Sequence, residues 1–507
     1  MPLYEEPPVR VTAHDRLQLE VKSELLCESV TQEKVTWTVD LWFALPQATG
    51  IAPGSYSSDE FYEDLRSYMR LKTPVVPLPD LVTSRGEGSP LATLGILAQR
   101  ARGGALTGSD RRVLIQECKL LSAILKSQLR EWAREREGLE PDARLAACEE
   151  LRPLLDTLVQ EWRTARDVLM GRVRKARSRD VLNYTDESLS VQVELAALEQ
   201  LAGLDKAGRA TDVAEALREM AERERAYRRD KGWRTVVAEG QPAVGYVDQA
   251  RLLKKYISSV LHLHLVKSRW DGLVRQGIFA VAAGLAMLWA VIAQILMFMT
   301  WDLTLQRGVS LGFLGTFAAV WVVTYILKDR IKATTAATLT RKLPAFMSDR
   351  RHGLLLPDPD DQLIGHVSER MVFERTSELP PEVAALRTAS ARTHLLLLAD
   401  QDVLRYTRQI ELRPRDAARW FPRIDGLTDI LRLNVWRWIR TYARARKVIP
   451  YLDDDGDVKS RKLDNLYYVD VIVRWTQRGE TKRTRLSQLR LALNRRGLVA
   501  VEEVSST

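Results

Sequence analysis

Three stretches of the chain place reactive residue types at spacings that could do chemistry. "LDDDGDVKS" has the look of a calcium loop. With Gly456 at the sixth loop position, Asp453 and Asp455 fall at the third and fifth, but Tyr451 stands at the first and Lys462 at the twelfth, where carboxylates are needed. A solvated turn is the better reading. "PDPDDQ" offers Asp358, Asp360 and Asp361 in a proline-broken loop with no histidine at a fixed spacing. Whether the acidic loops at 358–361 and 453–457 bind ions stays open at this level. Gly103 and Gly108 have the separation of a phosphate loop, but Ser109 and Asp110 follow where a lysine and a hydroxyl residue are required, so nucleotide binding is rejected there.

The remaining reactive groups are scattered. His262 and His264 are two apart and cannot share a helical face, so they make no metal pair. Cys27, Cys118 and Cys148 are odd in number and far apart, which fits a reducing compartment rather than a disulfide framework. No nucleophile elbow, zincin helix or kinase loop is present, so no catalytic residue, cofactor or metal is assigned. The residues with a readable pattern are cationic. Arg437, Arg440, Arg444 and Lys447 recur at intervals of 3, 4 and 3, which on a helix makes one basic face suited to solvent or anionic lipid headgroups. Nucleic acid is not expected, because the neighbouring aromatics are needed for a core.

The elements that must position these residues include an unusual pair. Ile278 to Met299 carries no charge in a chain of which 28% is charged, and its 22 residues make about 33 Å of helix. Gly308 to Leu327 is a second uncharged run of 20 residues, about 30 Å, and both match a hydrocarbon core of about 30 Å. Arg251, Lys254, Lys255, Lys267, Arg269 and Arg275 precede the pair, while Lys328, Arg330, Lys332, Arg341 and Lys342 follow it. The positive-inside rule places both flanks, and so both termini, in the cytoplasm. Ala282, Ala286, Ala290 and Ala293 form a small-residue stripe, and Gly308, Gly312 and Gly315 supply a second. Such stripes let helices approach closely, within the pair or across a homodimer. Gln294, the lone strongly polar side chain of the first run, is expected to hydrogen-bond within the pair.

Around this pair the chain reads as mixed α+β, mainly α. The expected organisation is a β-hairpin plus helix over 1–80, a linker over 81–109, and a cytoplasmic helical region over 110–272. A transmembrane hairpin over 273–328, a juxtamembrane stalk and linker over 329–390, and an α+β domain over 391–507 complete it. "RLQLEVKSEL" and "KVTWTVDLWFAL" alternate as two strands of the first hairpin, and Ser57 with Glu60 forms a capping box for the helix after it. A single helix is expected from near Val247 to Met299. "LTDILRLNVWRWIRTYARAR" is read as a helix, and "NLYYVDVIVRW", "TRLSQLRLALN" and "LVAVEEV" as a three-strand meander. The N-terminus, "MPLYEEPPVR", does not read as a secretory signal peptide. The 34 basic and 24 acidic residues after Leu327 account for the whole net charge of +10. The functional expectation is an integral protein of the cytoplasmic membrane that acts as a scaffold or signal relay for an unidentified cytoplasmic protein. A membrane-tethered enzyme with a site assembled from distant residues, and an accessory subunit of a transport complex, are the competing classes.

Overall fold

A computed structural model describes residues 8–506 except 28, 30, 83–87, 207–211, 238–239, 241–242, 268–269, 306–310, 343–347, 357–361, 392–401, 421–424 and 443–445. The fold is a mixed α/β one, with thirteen α-helices and large antiparallel sheets among the described residues.

The strand β3 (Val35–Ala44) organises the larger sheet. Its alternation sends Val35, Trp37, Val39, Leu41 and Phe43 into the main core and Asp40 and Trp42 to the opposite face. It lies between β8 (Asp402–Leu412) and β12 (Tyr467–Arg478), antiparallel to both, with Leu41 opposite Tyr406 and Val473. β12 continues through β13 (Lys482–Asn494) to β14 (Gly497–Ser506), the expected meander. On the other side β8 is followed by β7 (Leu363–Arg375), β6 (Arg350–Leu355) and β5 (His264–Lys267), completing eight strands.

A second sheet has the order β1 (Val9–Ala13), β2 (Gln18–Leu26), β9 (Gly426–Asn434), β4 (Leu65–Leu71). The expected hairpin of β2 with β3 is therefore not formed. Both segments are strands, but β2 lies between β1 and β9 and β3 lies between β8 and β12, so neither has an edge left for the other. The helix α1 (Ser58–Asp64) starts with the expected capping box at Ser57 and Glu60 and ends at once in β4, so Leu65 and Tyr68 are strand residues. The first part of the stretch read as a basic C-terminal helix is β9, whose Leu427, Asp429, Leu431 and Leu433 alternate inward. Only Trp436–Ile439 makes a helical turn.

The helices of the middle region are α2 (Leu78–Val82), α3 (Pro90–Gly103), α4 (Gly108–Glu135), α5 (Pro141–Arg172), α6 (Ala176–Lys206), α7 (Asp212–Asp230) and α8 (Val244–Ser258). They pack face to face, and their apolar stripes join the main core. The long helix expected from Val247 to Met299 is interrupted. After α8 the chain turns at Ser259, and Leu261, His262, Leu263 and His264 alternate buried and exposed, a strand period that leads into β5.

The expected transmembrane hairpin requires correction. The helix α9 (Trp270–Leu305) contains the one segment among the described residues that is long and apolar enough to cross a membrane, Phe279–Leu296. The next helix, α10, is described over Leu311–Lys342. Among the described residues its charge-free part, 311 to 327, covers about 25 Å against a hydrocarbon core of about 30 Å. The two helices pack together, but they are not two membrane spans.

Candidate functional site

The base of α9 and the end of α10 are tied to one place. β5, just before α9, pairs with β6, just after α10, with Lys267 opposite His352. The helical pair is thus an arm that leaves and rejoins the same edge of the large sheet. Among the described side chains of α9 the covered positions are small ones. Ala282 and Ala286 are buried, and Ala290 and Ala293 are half-buried. The large apolar side chains face outward, among them Leu285, Leu288, Ile292, Ile295, Leu296 and Phe298. Only 11% of the Phe279–Leu296 window is buried, so α9 is not the core helix of a globular body.

Gln294, expected to bond within the pair, is exposed. Gly315 is also exposed, Gly312 lies on α10, and Gly308 is outside the described residues. Lys267 on β5, and Arg330 and Lys332 on α10, are exposed along the arm and beside its start, while Lys254 and Lys255 are exposed on α8. Lys328 covers the Tyr325 ring at 4.9 Å.

The four cations expected on one face are dispersed. Arg437 is held by three carboxylates of α1 and its end, with Nη1 2.9 Å from Glu60, Nη2 2.7 Å from Glu63 and Nε 3.1 Å from Asp64. Asp64 first, then Glu60 and Glu63, hold its guanidinium pKa above the ordinary value. Arg440 is exposed beyond the helical turn and Lys447 is exposed on β10 (Arg446–Leu452), while Arg444 lies outside the described residues. β10 forms an exposed hairpin with β11 (Val458–Asp464), and its turn is the acidic loop. There Asp453 Oδ1 accepts from the backbone N–H of Asp455 and Asp457, a turn-capping role that fits the solvated reading. The 358–361 loop lies outside the described residues.

Three charged clusters that spacing did not reveal are built by the fold. In the core between the two sheets, Arg408 of β8 meets Glu369 of β7 and Asp429 of β9, with Nε 2.8 Å from Asp429 Oδ2 and Nη2 donating to Ser67 of β4 at 2.7 Å. Tyr406 Oη donates to Glu369 at 2.6 Å. Burial opposes the charge on Arg408, but Asp429, Tyr406 and Glu369 outweigh it and keep the guanidinium charged.

On the outer face, Asp40 accepts from Arg405 and from Arg474, with its closest contacts at 2.9 and 2.8 Å, and Trp42 lies under both guanidinium groups at about 5 Å. Glu374 and Glu382 complete the pairing. In the helical body, Trp162 and Tyr227 donate to buried Asp186, Arg163 forks onto Glu224, and Arg228 donates to Ser190, Glu194 and the Thr235 carbonyl.

These clusters tie elements together through matched charges. They leave no activated nucleophile, and the thiols do not supply one. Burial, with Asp425 beside it, pushes Cys27 up to about 12, and burial raises Cys118 and Cys148 as well, so all three stay protonated at neutral pH. Among the described residues no cluster of histidine, cysteine and carboxylate ligands is arranged to hold a metal. The chemistry the arm itself offers is partition into an apolar phase. Fully burying each large apolar side chain is worth about 1.5–3 kcal/mol, so several of them outweigh the cost of carrying one glutamine along. No protein-family model, curated protein or solved structure matches this chain.

Proposed function

We propose that the protein is a membrane-anchored scaffold whose α9 arm enters a lipid bilayer and whose α/β body stays on the cytoplasmic side. The observation that carries this reading is the exposure of α9, a helix of membrane length with its large apolar side chains uncovered. The pairing of β5 with β6 ties the segments before and after the arm to one place, so α9 is read as dipping into the bilayer from the body's side and not as a lone span that leaves α10 beyond it. Exposed lysines and arginines around the arm's base favour the cytoplasmic face of an anionic membrane. The satisfied charge clusters suit a rigid platform for a protein partner.

Fractionation of cells producing the full chain tests the reading. The chain is expected to sediment with membranes, to resist alkaline carbonate and to require detergent for release. Leu285→Glu with Leu288→Glu and Ile292→Glu should move it to the soluble fraction. Recovery of the wild-type chain as a detergent-free soluble monomer would overturn the proposal.

A further inference from the structure

A cleft of about 600 Å³ opens between α4, the start of α5 and α6, away from the clusters described above. Lys126, Arg130, Arg134 and Arg144 line it, against Glu137 and Glu199, an excess of two positive charges. Arg134 has Glu131 at 3.5 Å, but no ion pair to a described residue neutralises Lys126, Arg130 or Arg144. Burial first, then the nearby Arg130 and Lys254, lower the pKa of Lys126, as expected where cations crowd without a counter-charge.

The cleft also has built polar groups. Gln200 lines it at 7% exposure, and its amide makes no hydrogen bond to a described residue. Arg144 Nε is buried without an acceptor. Gln192 Nε2 donates to Ser188 Oγ at 2.8 Å, and its carbonyl oxygen is buried without a donor. Gly203 seats the Arg144 head. A Cβ there would stand 2.8 Å from Nη1 and 3.0 Å from Cζ, so the guanidinium rests on bare α6 backbone. Leu129 and Leu195 supply apolar wall between the charges.

We propose that this cleft binds a dianionic phosphate monoester bearing hydroxyl groups, free or as a lipid headgroup. Two excess cations match a dianion, Arg144 presents a fork suited to phosphate oxygens, and the glutamines answer the hydroxyls. The size suits a small molecule.

Calorimetric titration of the full chain in detergent at low salt, with glycerol 3-phosphate as probe and glycerol as neutral control, tests it. Saturable binding of the phosphate alone is expected. Arg144→Gln and Lys126→Gln should each weaken it at least tenfold. Gly203→Ala, which keeps every charge, should weaken it severalfold by displacing the guanidinium. Arg461→Gln on the exposed β11 should leave it unchanged, and circular dichroism checks that each variant is folded. The same titration in nanodiscs separates the sources. Loss of probe binding when phosphatidylinositol 4-phosphate is added to phosphatidylcholine identifies a lipid headgroup, and equal binding with and without it identifies a soluble ligand. Absence of saturable binding to the probe and of any phosphatidylinositol 4-phosphate effect would overturn the proposal, as would cleft variants that bind as the wild type does. Neither result depends on whether α9 enters a bilayer.

Discussion

Arg408 is 1% exposed, and two carboxylates from different strands depend on it. Removing one partner of such a cluster leaves the others charged in a low dielectric, which costs about 3–5 kcal/mol. Arg408→Met is therefore expected to lower unfolding free energy by about that amount in urea denaturation, and by more than Arg405→Met, whose position is half-open to water. Equal losses for the two would refute the ranking. The signal for this cluster stood in the chain as an interrupted alternation. Leu404, Tyr406, Ile410 and Leu412 point inward on β8, and Arg408 holds the position between them. A charge at a core register implies a buried counter-charge, but which strand supplies it depends on pairing, and Asp429 is reached only through the fold. A pH effect belongs to the same scale. Burial first, then Arg70 for His262 and Arg351 for His366, lowers both imidazole pKa values below 6.5. Between those lowered values and about 6.5 the unfolded chain binds more protons, so this contribution to stability is complete above that window and is lost as pH falls through it. The double variant His262→Asn, His366→Asn should show a flatter decline in Tm from about pH 7 to about pH 5 than the wild type. A parallel decline would exclude these histidines as its source.

At the scale of elements, alternation was readable and partnership was not. The β12–β14 meander was legible because each strand is a period-two segment and the turns are short. β2 and β3 were legible as strands, but adjacency in sequence suggested a hairpin that the two free edges of each strand did not require. β9 misled because Ile430, Leu431, Val435 and Trp438 also satisfy helical spacing, a known ambiguity of short apolar runs. The turn from β13 to β14 is a sensitive joint between the sheets. Gly497 has φ of +132°, a Cβ there would lie 1.9 Å from the Arg16 carbonyl oxygen, and the next residue donates its N–H to that oxygen at 2.7 Å. Gly497→Ala adds a backbone conformation that costs on the order of 1–3 kcal/mol and forces the β1–β2 turn away. Thermal unfolding should show a loss of at least that size. Gly54→Ala, at a positive φ in open space, should cost less because only the backbone term remains. A larger loss at Gly54 would mean that the close approach at Gly497 contributes nothing.

On the scale of the whole molecule, the chain's ends are woven together and its middle is inserted. β3 is central only because β8 and β12 flank it, and β9 is central only because β2 and β4 flank it. Neither end can complete a sheet without the other. This was beyond local reading because a pairing such as Leu41 with Val473 is fixed by global packing and not by neighbouring residues. The apolar character of the arm was legible at once, since composition alone announces it. The number of membrane-length helices was not, because a charge-free run does not by itself say how much of it one helix carries. The arm stands apart from this interlocked body in one decisive respect. Its two ends are already adjacent as the antiparallel pair β5 and β6, so little closure entropy separates the full chain from one without the arm. Replacing residues 269–348 by Asn-Gly-Gly keeps Asp349, which accepts from Tyr62 Oη at 3.0 Å and from the Met371 N–H at 2.7 Å, and joins the strands by a turn suited to hairpins. The shortened chain is expected to be soluble without detergent, monomeric by sedimentation and cooperative in thermal unfolding. It should also lose carbonate-resistant association with membranes. An aggregated or non-cooperative product would show that the exposed faces of α9 and α10 belong to the body's own core and not to an arm. Retained membrane association in a folded product would move the anchor from α9 to the body's cationic surface.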